Sequence, residues 1–250
     1  MNLNEKKVLI VGASSGMGAA LAKQLAGKGC TLALVARRRE QLEELAAEID
    51  KIAGRNLAHV YPADVTDYES VGPLFEKICG DLGGLDAVVY ASGILYQVAA
   101  NEYCFAKDKE VIEVNVLGAI AWLNAAAQRF ERAKAGAIVG ISSVAADRGR
   151  RGQPVYNASK AALDTFLEAL RNRLGRYGVL VTTIKPGYVA TPMIAGVKTP
   201  IPPVPVDEAA SQIIKAVEED ALVRYVSARW RWIMLAIKLV PSPIMQRLNF

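Results

Sequence analysis

A glycine-containing turn near the N-terminus, between an apolar run and a helical stretch, is the feature that most constrains the fold of this chain. Residues 7–11 (Lys-Val-Leu-Ile-Val) have the length and composition of a buried strand, and residues 19–27 are predicted to form a helix. The turn between them has the spacing Gly-x-x-x-Gly-x-Gly, with glycines at Gly12, Gly16 and Gly18. Glycines at such a turn let backbone N–H groups and the helix N-terminus approach a pyrophosphate. The unit therefore predicts an α/β protein with a parallel sheet and a nucleotide at one edge of that sheet.

Composition limits the number of domains and the classes of function. The 250 residues, of which 52% are hydrophobic, suffice for one large core, so we expect a single domain over residues 1–250. The formal charge of +5 comes without a lysine- or arginine-rich tail, which argues against a nucleic-acid partner. The three cysteines have no Cys-x-x-Cys spacing, so neither a disulfide framework nor a metal site is expected. With no apolar signal-peptide core at the N-terminus, the expected location is the cytoplasm.

A serine, a tyrosine and a lysine in the middle of the chain have the spacing of a catalytic site. Ser143 follows the apolar run 137–141, a predicted buried strand, so its hydroxyl would lie at the carboxyl edge of the sheet. Tyr156 and Lys160 are four residues apart in a predicted helix and project from one face. At roughly 5 Å and an effective dielectric constant of about 20, the lysine charge would lower a tyrosine pKa from about 10 to about 8. Tyr-x-x-x-Lys alone is more often an ordinary surface pair, but the upstream serine favours proton transfer from Tyr156.

Together, the glycine turn, Ser143 and the Tyr156-x-x-x-Lys160 pair resemble the classical short-chain dehydrogenase/reductase family over residues 7–227. The resemblance implies a Rossmann-type, doubly wound α/β fold, with a mostly parallel seven-stranded sheet in the order 3-2-1-4-5-6-7 and helices on both faces. It implies hydride transfer between a nicotinamide cofactor and a carbonyl or secondary alcohol. Ser143 would orient the carbonyl oxygen, Tyr156 would donate the proton, and Lys160 would lower the tyrosine pKa and hold the ribose. Asn115 would anchor the water of a proton relay.

The resemblance also assigns the cofactor site, with two departures from the family pattern. The family usually has threonine before the first glycine, where this chain has Val11, and Asn-Asn-Ala-Gly where it has Tyr-Ala-Ser-Gly at residues 90–93. Within residues 90–93, Gly93 is therefore the only residue that matches the family pattern directly. In full, the expected cofactor-binding residues are Gly12, Ser14, Ser15, Gly16, Met17, Gly18, Arg37, Arg38, Asp64, Val65, Ala91, Ser92, Gly93, Tyr156, Lys160, Pro186, Gly187, Val189 and Thr191.

The end of the second predicted strand bears on the choice of cofactor. Arg37, Arg38 and Arg39 occupy the place where an NAD-preferring protein has an acidic residue for the ribose hydroxyls. Arginine suits planar recognition of a 2′-phosphate, so NADP(H) is favoured over NAD(H), with Arg37 or Arg38 as the contact. The alternative is that all three arginines simply cap the solvent end of the next helix.

A loop and a tail lie beyond the core motifs. Residues 188–206 are expected to cover the substrate, although the proline-rich part also suits a polyproline ligand. The tail, 229–250, combines tryptophans, an apolar run and basic residues, which suits a helix at a membrane interface; it equally suits a buried segment that seals the pocket or meets a subunit. The basic loop 148–151 (Arg-Gly-Arg-Arg) would receive a substrate phosphate or be merely solvated.

The tail and the basic loop also resemble, more loosely, the reductases of decaprenylphosphoryl keto-sugars. That resemblance implies a lipophilic or lipid-phosphate-linked ketone as substrate, and peripheral contact with the inner face of the membrane. The broader family implies a homodimer or homotetramer through the helices at 107–132 and 156–176. A non-catalytic NADP(H)-binding sensor or scaffold of the same fold is the alternative function, against which the intact Asn-Ser-Tyr-Lys set argues.

Overall fold

The fold is built on one parallel sheet at the centre of the chain. The computed structural model describes residues 1–99, 101–197 and 199–247; Lys198 in the predicted substrate loop and the last three residues of the predicted tail lie outside this description. The sheet has seven strands: β1 (Lys7–Val11), β2 (Thr31–Ala36), β3 (Ala58–Pro62), β4 (Ala87–Tyr90), β5 (Ala137–Ile141), β6 (Leu180–Pro186) and β7 (Val223–Val226). They lie in the order β3-β2-β1-β4-β5-β6-β7, and each neighbouring pair is parallel. The predicted strand order is therefore confirmed.

Helices cover both faces of the sheet because the central strands are apolar on both faces. Along β1, Val8 and Ile10 pack into one hydrophobic cluster, and Leu9 and Val11 pack into the other. The first cluster contains the apolar faces of α1 (Gly16–Ala26), α2 (Arg39–Ala53) and α7 (Val206–Glu218). The second contains those of α3 (Tyr68–Asp81), α5 (Gly118–Ala133) and α6 (Pro154–Leu174). The result is the doubly wound arrangement that the sequence predicts.

A π turn interrupts the helix that was predicted over residues 107–132. The helix begins as α4 (Phe105–Ile112), passes through the π turn Glu113–Leu117 and continues as α5. A π turn places one extra residue in the helical ladder, and such turns are frequent at functional sites. Asn115 lies in the middle of this turn and is fully buried.

The same helix is long and apolar enough to cross a membrane by length and composition alone. It spans Phe105–Ala133, 29 residues, and half of its most apolar window is buried inside the protein. Trp122, Leu123 and Phe130 are completely buried in the core beside the sheet. Core helices of globular proteins meet the same length and composition test, and we interpret this helix as one of them.

The tail folds as α8 (Arg229–Leu239), followed by a proline and the short α9 (Ser242–Met245). One face of α8 packs on the protein: Trp230 and Met234 are buried and form a third hydrophobic cluster with Val144. Tyr188 and Ile201, from the predicted substrate loop, pack against that cluster. The tail therefore lies directly against the segments that surround Ser143.

Candidate active site

The glycine turn forms the floor of a cleft at the carboxyl edge of the sheet. Gly12 has a φ of +93°, and a Cβ there would lie 2.5 Å from the backbone nitrogen of Ser92. A Cβ on Gly18 would lie 2.1 Å from the carbonyl oxygen of Gly12. Any other residue at these two positions would push the turn away from β4 or from α1. The glycines thus bring the turn, the end of β4 and the N-terminus of α1 together in the way that pyrophosphate binding requires.

The cleft has a volume of about 310 Å³. Its walls bring together thirteen of the residues that the sequence assigned to the cofactor: Gly12, Ser14, Ser15, Gly16, Met17, Gly18, Arg37, Arg38, Val65, Ala91, Ser92, Gly93 and Thr191. Backbone amides at a helix N-terminus, an apolar wall and two guanidinium groups at the rim fit the pyrophosphate, adenine and ribose of a nicotinamide dinucleotide. The residues present therefore fit the expected cofactor.

Several residues of the cleft wall were not predicted from the sequence. They are Ala36, Ala63, Ile94, Val114, Pro192 and Met193. Ala36 is the last residue of β2 and Ala63 directly follows β3, so each lies next to a residue that the sequence assigned to the cofactor. Ile94 and Val114 are brought in by the chain after β4 and by the π turn, which no local pattern indicates.

Asp64, which the resemblance assigned to the adenine ring, has its carboxylate engaged within its own loop. It accepts hydrogen bonds from the backbone N–H and the hydroxyl of Thr66, at 2.9 and 2.8 Å. Its other oxygen lies 3.8 Å from the Arg37 guanidinium. The neighbours Ala63 and Val65, and not Asp64, line the cleft.

The three arginines after β2 have different surroundings. The Arg38 guanidinium donates to the hydroxyls of Ser14 and Ser15, at 2.9 and 3.0 Å, so it lies over the glycine turn. Arg37 and Arg38 both line the cleft. Arg39 lies in the first turn of α2 and pairs with Glu43 on the same helix at 3.4 Å. Only the first two are therefore placed to meet a group on the cofactor.

A second cavity, of about 100 Å³, adjoins the cleft and contains Ser143 and Tyr156. It shares the lining residues Met17, Thr191 and Met193 with the cleft, so the two lie side by side. Pro186, Gly187 and Val189, assigned to the cofactor from the sequence, line this cavity and not the cleft. Its remaining lining residues are Leu95, Ser142, Val144, Arg150, Gln153, Tyr188 and Ile194.

Tyr156 and Lys160 meet on one face of α6, as their spacing predicts. The Lys160 ammonium lies 5.8 Å from the centre of the Tyr156 ring and donates to the carbonyl oxygen of Ile141 at 2.9 Å. Burial lowers the pKa of Lys160 from 10.5 to about 8, against the opposing effect of the Asp164 carboxylate. Lys160 therefore carries its charge at neutral pH at some cost in stability.

The pKa of Tyr156 is shifted in the direction opposite to the one predicted from the sequence. Burial raises the pKa of the phenol above its ordinary value, while a hydrogen bond with Ser143 and the charge of Arg150 act in the opposite direction. The expectation counted the lysine charge and omitted desolvation, which here is the larger effect. The phenol accordingly holds its proton at neutral pH, as a proton donor must.

Asn115 forms hydrogen bonds with the chain after β4 and with α6. Its amide exchanges two hydrogen bonds with the backbone of Ile94, at 2.8 and 3.0 Å, and donates to the Ser159 hydroxyl at 3.1 Å. A Cβ on Gly93 would lie 3.3 Å from its oxygen and 3.4 Å from the Lys160 ammonium. Gly93, Asn115 and Lys160 thus converge, and Asn115 ties the π turn to the chain after β4 and to α6.

A buried ionic cluster beneath the Ser143 loop was not anticipated from the sequence. The Lys185 ammonium lies 2.6 Å from Asp147 and 2.7 Å from Asp164. Lys238 of α8 lies 2.8 Å from Asp147, and Tyr225 donates to the same carboxylate at 2.8 Å. Although burial alone would raise the pKa of Asp147, the hydrogen bonds from Lys185, Lys238 and Tyr225 hold it below its ordinary value. The cluster joins the Ser143 loop, β6, α6 and the tail.

The arginines of the basic loop 148–151 have different surroundings. Arg148 donates to the carbonyl oxygen of Val240 at 3.2 Å and reaches the Lys238 carbonyl oxygen and the Ser242 hydroxyl at 3.5 Å each, so it holds the tail. Arg150 lines the cavity beside Tyr156, and Arg151 is exposed. The expectation that the loop as a whole meets substrate therefore applies at most to Arg150.

Comparison with known proteins decides the family. The chain matches the short chain dehydrogenase family over residues 6–201. It is 34% identical, over 194 residues and 77% of each chain, to an uncharacterized oxidoreductase of Mycobacterium tuberculosis. This chain belongs to the short-chain dehydrogenase/reductase family. It is an NAD(P)-dependent oxidoreductase of small molecules.

Solved structures of the same fold carry the phosphorylated cofactor. A short chain dehydrogenase of Burkholderia cenocepacia in complex with NADP superposes with a TM-score of 0.85, over 100% of both chains, at 22% identity. One from Sphingobium yanoikuyae in complex with NADPH superposes with a TM-score of 0.82, over 95% of this chain and 97% of that one, at 25% identity. Within the described residues, no group of three or more His, Cys, Asp or Glu side chains is placed to hold a metal ion.

Proposed function

We propose that this short-chain dehydrogenase/reductase uses NADPH to reduce a carbonyl compound to a secondary alcohol. The observation that carries the proposal is that the cavity and the cleft adjoin each other, with Ser143 and Tyr156 lining the cavity and the glycine turn, Arg37 and Arg38 lining the cleft. Two guanidinium groups at the cleft rim, with no acid at the end of β2, support NADPH over NADH.

The residues have complementary roles in the proposed reaction. The cofactor, when bound, supplies the hydride. Ser143 donates a hydrogen bond that orients the substrate oxygen, and Tyr156 delivers a proton to that oxygen as negative charge develops on it. The charged Lys160 stabilises the phenolate left on Tyr156 and holds the cofactor ribose. Asn115, through its bonds to Ile94 and Ser159, fixes the π turn and supports the water of the proton relay.

The variant Tyr156→Phe tests the assignment of the acid. It removes the proton donor and little volume, so carbonyl reduction should fall by about a hundredfold to ten-thousandfold, the usual contribution of a general acid. NADPH affinity, measured by fluorescence titration, should change little. Surviving turnover would show that the acid is wrongly assigned. Tight NADPH binding by a wild-type protein that reduces none of a broad panel of ketones would favour the sensor or scaffold alternative.

We further propose that the substrate is lipophilic, a ketone on a lipid phosphate being one such compound, and that α8 contacts the inner face of the membrane. The outward side of α8 exposes Trp232 (66%), Leu235 (48%) and Leu239 (75%), while its opposite side packs on the substrate loop. Residues 229–247 carry four basic and no acidic side chains. An exposed apolar ridge with basic neighbours suits an anionic lipid surface.

Flotation with liposomes of phosphatidylglycerol and phosphatidylcholine tests the membrane contact. The wild-type protein should float at low salt, and a variant with Trp232, Leu235 and Leu239 all changed to Ser should not. These side chains point outward, so the fold should be kept, as circular dichroism would check. Ile52→Ser is the matched control, because Ile52 is 73% exposed on α2, away from the tail. Failure of the wild-type protein to float would contradict the membrane proposal and leave α8 as a cover for the substrate loop.

A further inference from the structure

The cavity beside Tyr156 is lined by an arginine that the reaction itself does not require. Arg150 lies on the loop between Ser143 and Tyr156 and lines the cavity together with both of them. Carbonyl reduction needs a hydride, a proton and an oriented oxygen, and these are accounted for without Arg150. A charged side chain that is partly withdrawn from water is stabilised by a partner of opposite charge.

The contacts of Arg150 leave much of its hydrogen-bonding capacity unused. One terminal nitrogen makes a long hydrogen bond, 3.4 Å, to the side-chain oxygen of Asn157. Its Nε is buried and has no hydrogen-bond partner. Among the described residues, no carboxylate lies within 4.0 Å of its nitrogens. A guanidinium presents five donors in a fixed plane, which matches a carboxylate or phosphate.

The neighbouring arginines are placed differently, which makes the position of Arg150 specific. Arg148 is turned to the tail, where it donates to the carbonyl oxygen of Val240. Arg151 is exposed and does not line the cavity. The positive charge next to the Tyr156 phenol therefore comes from one residue of this loop, and not from the loop as a whole.

We infer that Arg150 is the specificity residue for an anionic substrate, one that carries a carboxylate or phosphate on the same molecule as the carbonyl. This inference rests on the proposed reductase function and adds the class of substrate to it. The anion would pair with the guanidinium, leaving the carbonyl oxygen to Ser143 and Tyr156. Binding energy from the remote anion would then be used to orient the reacting carbon.

Calorimetry on the NADPH-saturated protein tests the inference without a known substrate. The probes are hexanoate, hexyl phosphate and hexanol, which share one apolar chain and differ in the head group. We expect at least one anion to bind about tenfold to a hundredfold more tightly than hexanol, the range for a charged hydrogen-bonded pair. Arg150→Ala should abolish that difference, and Arg151→Ala, the matched control in the same loop, should preserve it. The two anions distinguish a carboxylate from a phosphate ester.

Equal binding of hexanol and both anions would overturn the inference, as would an equal effect of Arg150→Ala and Arg151→Ala. Displacement of NADPH by the anions would also overturn it, since the probe would then occupy the cofactor cleft. A turnover assay separates this result from the proposed function. Once reducible keto acids are found, each is compared with its methyl ester: Arg150→Ala should raise KM for the acid and leave the ester unchanged. An equal loss of kcat for both would show that Arg150 acts through Tyr156 instead.

Discussion

Burial of the charged Lys160 lowers the free energy of unfolding, and this loss of stability can be measured. Its pKa is lowered from 10.5 to about 8 because it is buried. Between these two values the unfolded chain binds more protons at this position than the folded protein does, so stability rises with pH there. Below about pH 8 the full penalty of burying the charge is present, which the difference of pKa places at about 3 kcal/mol.

The variant Lys160→Met should therefore be more stable than the wild-type protein at neutral pH, by up to about 3 kcal/mol. The advantage should shrink as the pH rises from about 8 to 10.5, since the lysine is then neutral in the folded protein and the cost of removing its proton falls to nothing near pH 10.5. Urea unfolding of both proteins at several pH values measures the difference, and groups common to both cancel. A difference that stays constant with pH would show that Lys160 is not perturbed. The activity of the variant should be lost, which would mark the charge as functional and not structural.

The proposed preference for NADPH also depends on single residues. Arg37 and Arg38 line the cleft, and Arg39 pairs with Glu43 outside it. Changing Arg37 or Arg38 to Ala should weaken NADPH binding about tenfold to a hundredfold while NADH binding changes little, because only NADPH has the 2′-phosphate. Arg39→Ala is the control and should leave both affinities unchanged. Fluorescence titration with the two nucleotides gives the comparison, and tighter NADH binding by the wild-type protein would refute the preference.

At the scale of elements, the strands and the glycine turn were predictable, and the π turn was not. Runs such as residues 7–11 are apolar on both faces, which identifies buried parallel strands without tertiary information. The π turn at Glu113–Leu117 inserts one residue into a helix whose apolar periodicity continues on either side, so the pattern shows one helix. The resemblance indicated a part for Asn115 in the proton relay, but not which contacts hold this residue.

The position of the tail could not be predicted from the sequence either. A basic, tryptophan-containing segment suited a membrane surface and a buried cover alike, and α8 presents one side to the protein and the other to solvent. What fixes it is a set of distant partners: Asp147 meets Lys238, and Gly187 meets Trp230. Such pairings depend on how β6 and the Ser143 loop are arranged in the folded protein, and a local sequence pattern does not predict that arrangement.

The contact between Gly187 and Trp230 couples the tail to the cavity that contains Ser143 and Tyr156. A Cβ on Gly187 would lie 1.8 Å from the indole nitrogen of Trp230, and Gly187 lines the cavity. Gly187→Ala should therefore displace α8 and destabilise the protein by about 1–3 kcal/mol, the usual cost of overpacking a core. In Trp230→Ala, where the ring is absent, adding Gly187→Ala should cost much less. Urea unfolding of the four proteins completes the cycle.

Gly175→Ala provides the control for this cycle, because nothing lies within 4 Å of a Cβ at that position. It should cost little on either background. Additive effects of Gly187→Ala and Trp230→Ala would show that the tail and the Pro186-Gly187 segment are independent. Reductase activity of Gly187→Ala should fall along with its stability, since the displaced helix supports the loop that contains Tyr188.

At the scale of the whole molecule, the helices named for subunit contact leave apolar surface uncovered. Near the start of α4, Tyr103 is 92% exposed and Phe105 is 80% exposed, and Leu117 in the π turn is 43% exposed. On the adjacent α6, Ala158 and Ala162 are exposed small residues, over which a second helix can approach closely. Exposed apolar side chains grouped on neighbouring helices are typical of a protein–protein interface.

We therefore expect a homodimer or homotetramer at micromolar concentration, with α4, α5 and α6 of each copy in the interface. Light scattering coupled to size-exclusion chromatography should give a mass at least twice that of the 26.9 kDa chain. Ala162→Arg places a long charged side chain where two helices would pack, so it should yield folded monomers. Ile52→Arg is the matched control, since Ile52 is 73% exposed on α2 and should not affect assembly. A wild-type protein that stays monomeric at these concentrations would contradict the expectation. An oligomer that Ala162→Arg leaves intact would place the interface on another surface.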